Sequence, residues 1–379
     1  MAANDSVIKQ AIVKIKVFGV GGGGNSVLLR MAKDNELGIE LIAVNTDAKQ
    51  LAIMEKAGII PLQIGDALTK GRGTGGSQEL GESAAQTDAD KLRAAMKGAN
   101  LIFVTAGMGG GAGTGAAPVV AKLAKELGIL TVGVVTMPFS FEGARKKRMA
   151  ESGVVRMQTN MDALIAVHND NLMKLEAGRR MSLVQAFEAA DGILRQAINC
   201  IAEMILTTGV VNVDFADVTS IFRQSESSDA LLGIGESEDG AVKAVQQAVE
   251  SPLVEKSLSG ARGIILNLTG GEGLSLYEVN EATKYIYENT DPEVNIIFGT
   301  VIDKSFGDRV RATVIATDFS DSIVLKTPHH ELTQKGIGSF SIDAPGFMAK
   351  PAASVPKFKP SGSFDIPSFR THKEEDKEK

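Results

Sequence analysis

The residues best suited to chemistry lie in one run, Gly107-Met108-Gly109-Gly110-Gly111-Ala112-Gly113-Thr114-Gly115-Ala116-Ala117-Pro118. The apolar stretch 99–104 before it reads as a buried strand. Residues 119–127 after it read as a helix with Pro118 in its first turn. Six glycines within 107–115 offer no side chains to pack and cost conformational entropy. What they expose is backbone N–H, which curls readily into a nest for an anion, and the helix N-terminus behind it adds a positive field. The chemistry implied is phosphate binding. A merely flexible linker would not stand between a buried strand and a helix.

A second cluster, Gly19-Val20-Gly21-Gly22-Gly23-Gly24-Asn25, also separates a strand from a helix. It satisfies G-x-G-x-x-G, and the acidic Asp47 ends the next strand, as in a dinucleotide site, so an NAD-dependent oxidoreductase is the rival enzyme class. That reading leaves the larger 107–115 loop without a job. A P-loop fails as well, because Asn25 stands where its lysine is required. A third polar loop, Gly71-Arg72-Gly73-Thr74-Gly75-Gly76, brings the count of glycine-rich turns to three. Together they suit one nucleoside di- or triphosphate held from several sides by backbone.

The base can be argued from donors and acceptors. Guanine presents N1–H and N2–H₂, which a carboxylate and an amide oxygen can accept. Phe187 and Asp191 stand one helical turn apart, so an aromatic face and a carboxylate project from the same side. Asn169, at the end of a strand, supplies an amide.

The elements that must position these groups follow from the apolar pattern. Runs at 12–18, 39–45, 59–64, 99–104, 130–135 and 163–167 are unalternating and separated by helices near 27–35, 48–56, 84–96, 119–127 and after 142. That is a parallel sheet covered on both faces, a Rossmann-like α/β domain with its loops at the strand carboxyl ends. Residues 182–206 repeat apolar positions at three and four and form one long central helix, roughly 37 Å at ~1.5 Å per residue. Strands near 263–268, 294–300 and 310–316, with helices near 241–250 and 276–288, make a smaller mixed α/β second domain. The expected division is a frayed N-terminus at 1–11, the nucleotide domain at 12–181, the central helix at 182–210 and the second domain at 211–317. From 318 the chain turns proline-rich and loses apolar periodicity, which predicts a disordered linker over 318–362. An island, Phe364-Asp365-Ile366-Pro367-Ser368-Phe369-Arg370, then opens a charged tail over 363–379 and reads as a docking peptide.

Bulk composition excludes several classes. The net charge of −6 gives no basic field for nucleic acid or anionic lipid. No run reaches the ~20 apolar residues of a membrane span, and no signal peptide is expected. The single cysteine, Cys200, leaves no internal disulfide to form, fits a reducing compartment, and in an apolar helical pattern reads as a core residue rather than a nucleophile.

The 107–118 run resembles the signature loop of the tubulin/FtsZ family. Asn45-Thr46-Asp47, Pro138-Phe139-x-x-Glu142-Gly143 and Asn212-Val213-Asp214-Phe215-Ala216-Asp217 are similar to motifs of its cell-division branch over about 12–317. The resemblance implies a GTPase that binds GTP/GDP with Mg²⁺. Gly22, Gly23, Gly24, Asn25 and Gly109, Gly110, Gly111, Ala112, Gly113, Thr114, Gly115 would hold the phosphates, with Thr136 beside them and Asn45 and Asp47 in the same pocket. Glu142 would meet the ribose, and Asn169, Phe187 and Asp191 the guanine. Ala112 replaces the family's usual threonine, the first glycine loop is one residue short, and the family's phosphate-contacting arginine falls on Lys146 with Arg145 adjacent. No protein residue is assigned to the metal, which would bridge β- and γ-phosphate oxygens.

Hydrolysis needs a water oriented and polarised by carboxylates, and Asn212, Asp214 and Asp217 are the catalytic candidates. The long helix puts them over ~30 Å from their own nucleotide, so they would act in trans on a neighbour in a head-to-tail homopolymer. The resemblance further implies a cytoplasmic protein at the midcell division ring. Its residues 364–370 would dock division proteins and membrane tethers, with no nucleic acid bound and no direct membrane insertion. A nucleotide-regulated scaffold that hardly hydrolyses is the non-enzyme alternative.

Overall fold

The computed structural model describes residues 13–174, 180–207, 211, 213–225, 227–254 and 258–319. The N-terminus at 1–11, most of the expected linker and the whole tail with its 364–370 island lie outside the described residues, as does Asn212.

Ten strands form one sheet. β1 (Ile15–Val20), β2 (Glu40–Asn45), β3 (Ile60–Gln63), β4 (Leu101–Gly107), β5 (Leu130–Met137) and β6 (Ala163–His168) are parallel, in the spatial order β3-β2-β1-β4-β5-β6. The unalternating apolar sequences of β1, β4 and β5 match their burial on both faces, while β3, at the sheet edge, is exposed to half-buried. The sheet continues through β7 (Asp229–Ser237), β10 (Val310–Phe319), β8 (Ala261–Gly270) and β9 (Asn295–Ile302). The seam is narrow: β6 and β7 pair in parallel over Leu164–Asp229 and Ile165–Ala230. Beyond it β10 runs antiparallel to both β7 and β8. β10 also carries on through Asp318 and Phe319, two residues into the expected linker.

The strand β7 has no counterpart in the sequence reading, and its glycines explain why. A Cβ on Gly233 would sit 2.2 Å from the Ala248 carbonyl, and one on Gly235 2.1 Å from the Ala244 carbonyl. Glycine, usually a mark against a strand, is required here so that the helix 241–249 can lie directly on the sheet.

The helices that shape the candidate site are α1 (Gly21–Met31), α2 (Ala48–Lys56), α3 (Gln78–Thr87), α4 (Ala89–Met96), α5 (Gly111–Glu126), α6 (Ala144–Gln158) and α7 (Leu183–Leu206). Three differ from expectation. α1 begins at Gly21, inside the glycine cluster, rather than near residue 27. The single helix expected over 84–96 is two, α3 and α4, broken at Asp88. α5 begins at Gly111, so Pro118 lies two turns inside it rather than in its first turn.

α7 is the predicted long helix, about 36 Å at ~1.5 Å per residue over its 24 residues. Its second half is core, with Leu194, Ala197, Ile198, Ile201 and Met204 packed against strands of both parts of the sheet. Its first turns are not: Leu183, Val184 and Phe187 are exposed. After it comes α8 (Phe215–Gln224).

Candidate functional site

The carboxyl ends of β1 and β4 are adjacent in register, so the two glycine runs that follow them meet. A Cβ on Gly21 would lie 2.6 Å from the Gly113 amide nitrogen, and one on Gly23 2.8 Å from the Gly107 Cα. Glycine is needed here for close approach as well as for bare backbone, which corrects the view that these residues have no packing role. The same holds at Gly111 and Gly115, where a Cβ would be 2.1 Å from Thr74 Oγ1 and 2.0 Å from the Gln78 carbonyl. The 71–76 loop thereby reaches the start of α5, while Ala48 N–H donates to the Gly71 carbonyl at 3.1 Å and ties the loop to the end of β2.

The result is two helix N-termini side by side. α1 and α5 have no side-chain cap and no acidic residue in the first turn. Their leading amides therefore keep the orphan donors and positive end that an anion satisfies. By contrast α2, α3 and α7 are capped by Asp47, Ser77 and Ser182. Gly22, Gly23 and Gly110 are exposed at this end, and Gly24, Gly113 and Ala112 are buried behind it.

Several predicted residues act through the loops rather than toward solvent. Asn25, 2% exposed, donates Nδ2 to the Gly19 carbonyl at 2.8 Å and accepts from Asn45 Nδ2 at 2.6 Å. Asn45 in turn accepts from the Thr46 and Asp47 amides on Oδ1. Asp47 Oδ1 accepts from the Lys49 amide at 2.9 Å as the cap of α2. This is a poor arrangement for the ribose-binding acid of a dinucleotide site. The Thr114 hydroxyl accepts from the Gly109 amide at 2.8 Å, so that amide is already used. Thr136, buried beside Gly107, accepts the Met108 amide on its carbonyl.

The ribose and base candidates gather along β5, β6 and the start of α7. Glu142 Oε1 accepts from the Phe139 amide at 3.0 Å, and its Oε2 pairs with Lys146 Nζ at 2.9 Å. Lys146 is also the member of the Arg145/Lys146 pair that touches a loop: a Cβ on Gly109 would lie 3.2 Å from the Lys146 Cβ. Arg145 is exposed. Asn169 is buried, and its Oδ1 has no hydrogen-bond partner among the described residues. An enclosed acceptor without a donor is costly, and it suits a ligand that brings one.

Phe187 stands edge-on to Phe139 at 5.3 Å, and Phe139 stacks on Phe141 at 5.0 Å. Phe187 is 40% exposed and Phe141 61%, so these are not core aromatics. Asp191 Oδ2 accepts from Arg30 Nε at 3.1 Å. Burial raises the Asp191 carboxyl above the usual range, against the opposing hydrogen bond and charge of Arg30. Arg30, Phe139 and Phe141 were not assigned from sequence. The two phenylalanines lie inside a quoted motif, Pro138-Phe139-x-x-Glu142-Gly143, whereas Arg30 meets Asp191 across 161 residues of chain and leaves no local signal.

The acids lie elsewhere. Asp214 caps α8, its Oδ1 accepting from the Asp217 amide at 2.9 Å, and both carboxylates are exposed. They follow the far end of α7 from Phe187 and Asp191. Cys200 is buried in α7 and burial pushes its thiol up to about 12, with Glu203 adding to the shift, so it is no nucleophile. Among the described residues no group of three or more His, Cys, Asp or Glu could hold a metal, and no helix is long and apolar enough to cross a membrane.

Comparison with known proteins gives two matches to family models. The tubulin/FtsZ family GTPase domain matches residues 14–177, and the FtsZ family C-terminal domain matches residues 228–320. Among solved structures, an empty FtsZ dimer from M. jannaschii is 38% identical with a TM-score of 0.77, covering 83% of this chain and 91% of that one. A point mutant of FtsZ from M. jannaschii is 37% identical with a TM-score of 0.78, covering 84% and 96%. CetZ2 from Haloferax volcanii, a GTPγS-bound protofilament, shares the fold at 23% identity and a TM-score of 0.69, covering 83% and 95%.

Proposed function

From the premise that the chain belongs to the tubulin/FtsZ family of GTPases, we propose that it polymerises head-to-tail and hydrolyses GTP between subunits. The observation that carries this is the separation along α7. The guanine-facing pair Phe187 and Asp191 lies in its first turns, and Asp214 and Asp217 follow its last. The helix from Asp191 to Leu206 alone accounts for roughly 22 Å at ~1.5 Å per residue. Asp214 and Asp217 are exposed, and no described residue engages them beyond their own cap, so they are available to a neighbour's γ-phosphate. Asn212 joins them by sequence.

In this reading the amides of α1 and α5 bind the phosphates, Lys146 adds a positive charge, and Asn169, Phe187 and Asp191 recognise guanine. Mg²⁺ would be carried on the β- and γ-phosphates and supply charge neutralisation there. The acids orient and deprotonate the attacking water. A heterologous interface that does not close gives a filament, and self-association accords with the dimer seen in the M. jannaschii relative. The division into units at 12–181, 182–210 and 211–317 serves this scheme, with the GTP pocket at one end and the acids at the other. Residues 364–370 would then dock the filament to division proteins and membrane tethers in a cytoplasmic division ring at midcell.

The test is sedimentation with GTP and with GDP, run beside phosphate release. Pelleting and phosphate release with GTP alone support the proposal. Hydrolysis by protein that never pellets would refute the shared site.

A further inference from the structure

α5 carries a proline in its interior, and that leaves a gap in the helix. Pro118 has no amide hydrogen, so the carbonyl four residues earlier loses its helical donor. That carbonyl belongs to Thr114, within the 107–115 turn itself. Its donor comes from another helix: Arg156 Nη2, on α6, lies 3.1 Å away. Arg156 Nη1 binds Glu82 Oε2 on α3 at 2.7 Å. One planar cation therefore joins three helices, using two divergent donors that a lysine lacks.

Thr114 is the point where this matters. Its hydroxyl holds the Gly109 amide, and α6 packs closely on its methyl, since a Cβ on Gly153 would be 2.5 Å from Thr114 Cγ2. Arg156 stands one turn beyond Gly153 on α6. Its Nε is enclosed and has no partner among the described residues, so the side chain is held there by its two terminal nitrogens.

We infer that Arg156 is a positioning residue for the phosphate-binding turn. It replaces the hydrogen bond that Pro118 removes. By fixing Thr114 it fixes Gly109 and the leading amides of α5. Glu82 holds the guanidinium in the orientation that reaches the carbonyl. The inference rests on the assignment of the 107–115 turn to the phosphates of GTP.

The experiment is calorimetric titration of the full chain with GTP, beside steady-state hydrolysis. Arg156→Ala should bind GTP about tenfold more weakly, the loss expected for one charge-assisted hydrogen bond, with the change in KM rather than kcat. Arg156→Lys should recover only part. The decisive variant is the double substitution Arg156→Ala with Pro118→Ala. Alanine at 118 returns an amide to the Thr114 carbonyl, so affinity should come back to within about twofold of the parent. A double variant weaker than Arg156→Ala, or an Arg156→Ala protein that melts earlier but binds GTP normally, would overturn the inference. Should Arg156→Ala fail to fold, Glu82→Gln loosens the same guanidinium and should weaken GTP binding in its place; unchanged binding counts against the inference. A parent protein that does not bind GTP would instead sink the nucleotide assignment.

Discussion

At the scale of single residues, the side chains we propose for guanine are already tied to partners within the chain. Arg30 Nε donates to the Asp191 carboxyl and opposes the burial that raises its pKa, and Phe187, 40% exposed, stands edge-on to Phe139. The carboxylate is the form that accepts from guanine, so GTP affinity should be full near neutrality and fall on acidification. Because burial raises the Asp191 value, that fall begins at a higher pH than the ~3.9 of a free aspartate would give. Asp191→Asn should weaken binding and flatten this slope; titration of both proteins across acidic pH checks it. Stacking on an aromatic contributes ~1–3 kcal/mol per base, so Phe187→Ala should weaken GTP binding roughly ten- to a hundredfold. With Phe187 40% exposed, the melting temperature should barely move.

At the scale of elements, glycines of the same apparent kind have opposite jobs. A Cβ on Gly115 would strike the Gln78 carbonyl at 2.0 Å and the Glu82 amide at 2.7 Å, so Gly115→Ala should force α3 away from α5 and cost at least ~2 kcal/mol in denaturant unfolding. Gly192, in the middle of α7, faces nothing within 4 Å. There Gly192→Ala should add ~0.5–1 kcal/mol through helix propensity. This contrast also marks what the sequence could reveal. The βα alternation and the long helix were legible because they follow local periodicity. The packing use of Gly21, Gly111 and Gly115, the glycine-bearing strand β7 and the Arg30–Asp191 pair were not, because each depends on a partner distant in sequence. Pro118 misled for a related reason. A proline normally marks a helix start, and here, in the interior, Arg156 on another helix donates to the carbonyl that the proline leaves without a helical donor.

At the scale of the whole molecule, one continuous sheet and one helix separate the two groups of residues proposed to complete a shared site. Phe187 and Asp191, proposed for guanine, lie in the first turns of α7, and the exposed acids of α8 lie past its far end. Asp214→Ala should therefore leave nucleotide binding intact while abolishing turnover, measured by titration and phosphate release on the same sample. In mixtures with wild type the specific rate should fall in proportion to that variant's share, since each inactive pair of acids disables one neighbour's nucleotide while the variant's own nucleotide is still hydrolysed. The most direct measurement is the specific GTPase rate as a function of protein concentration. A site completed between subunits predicts a rate near zero at low concentration that rises above a threshold and then levels off. A specific rate that stays constant at every concentration would contradict it.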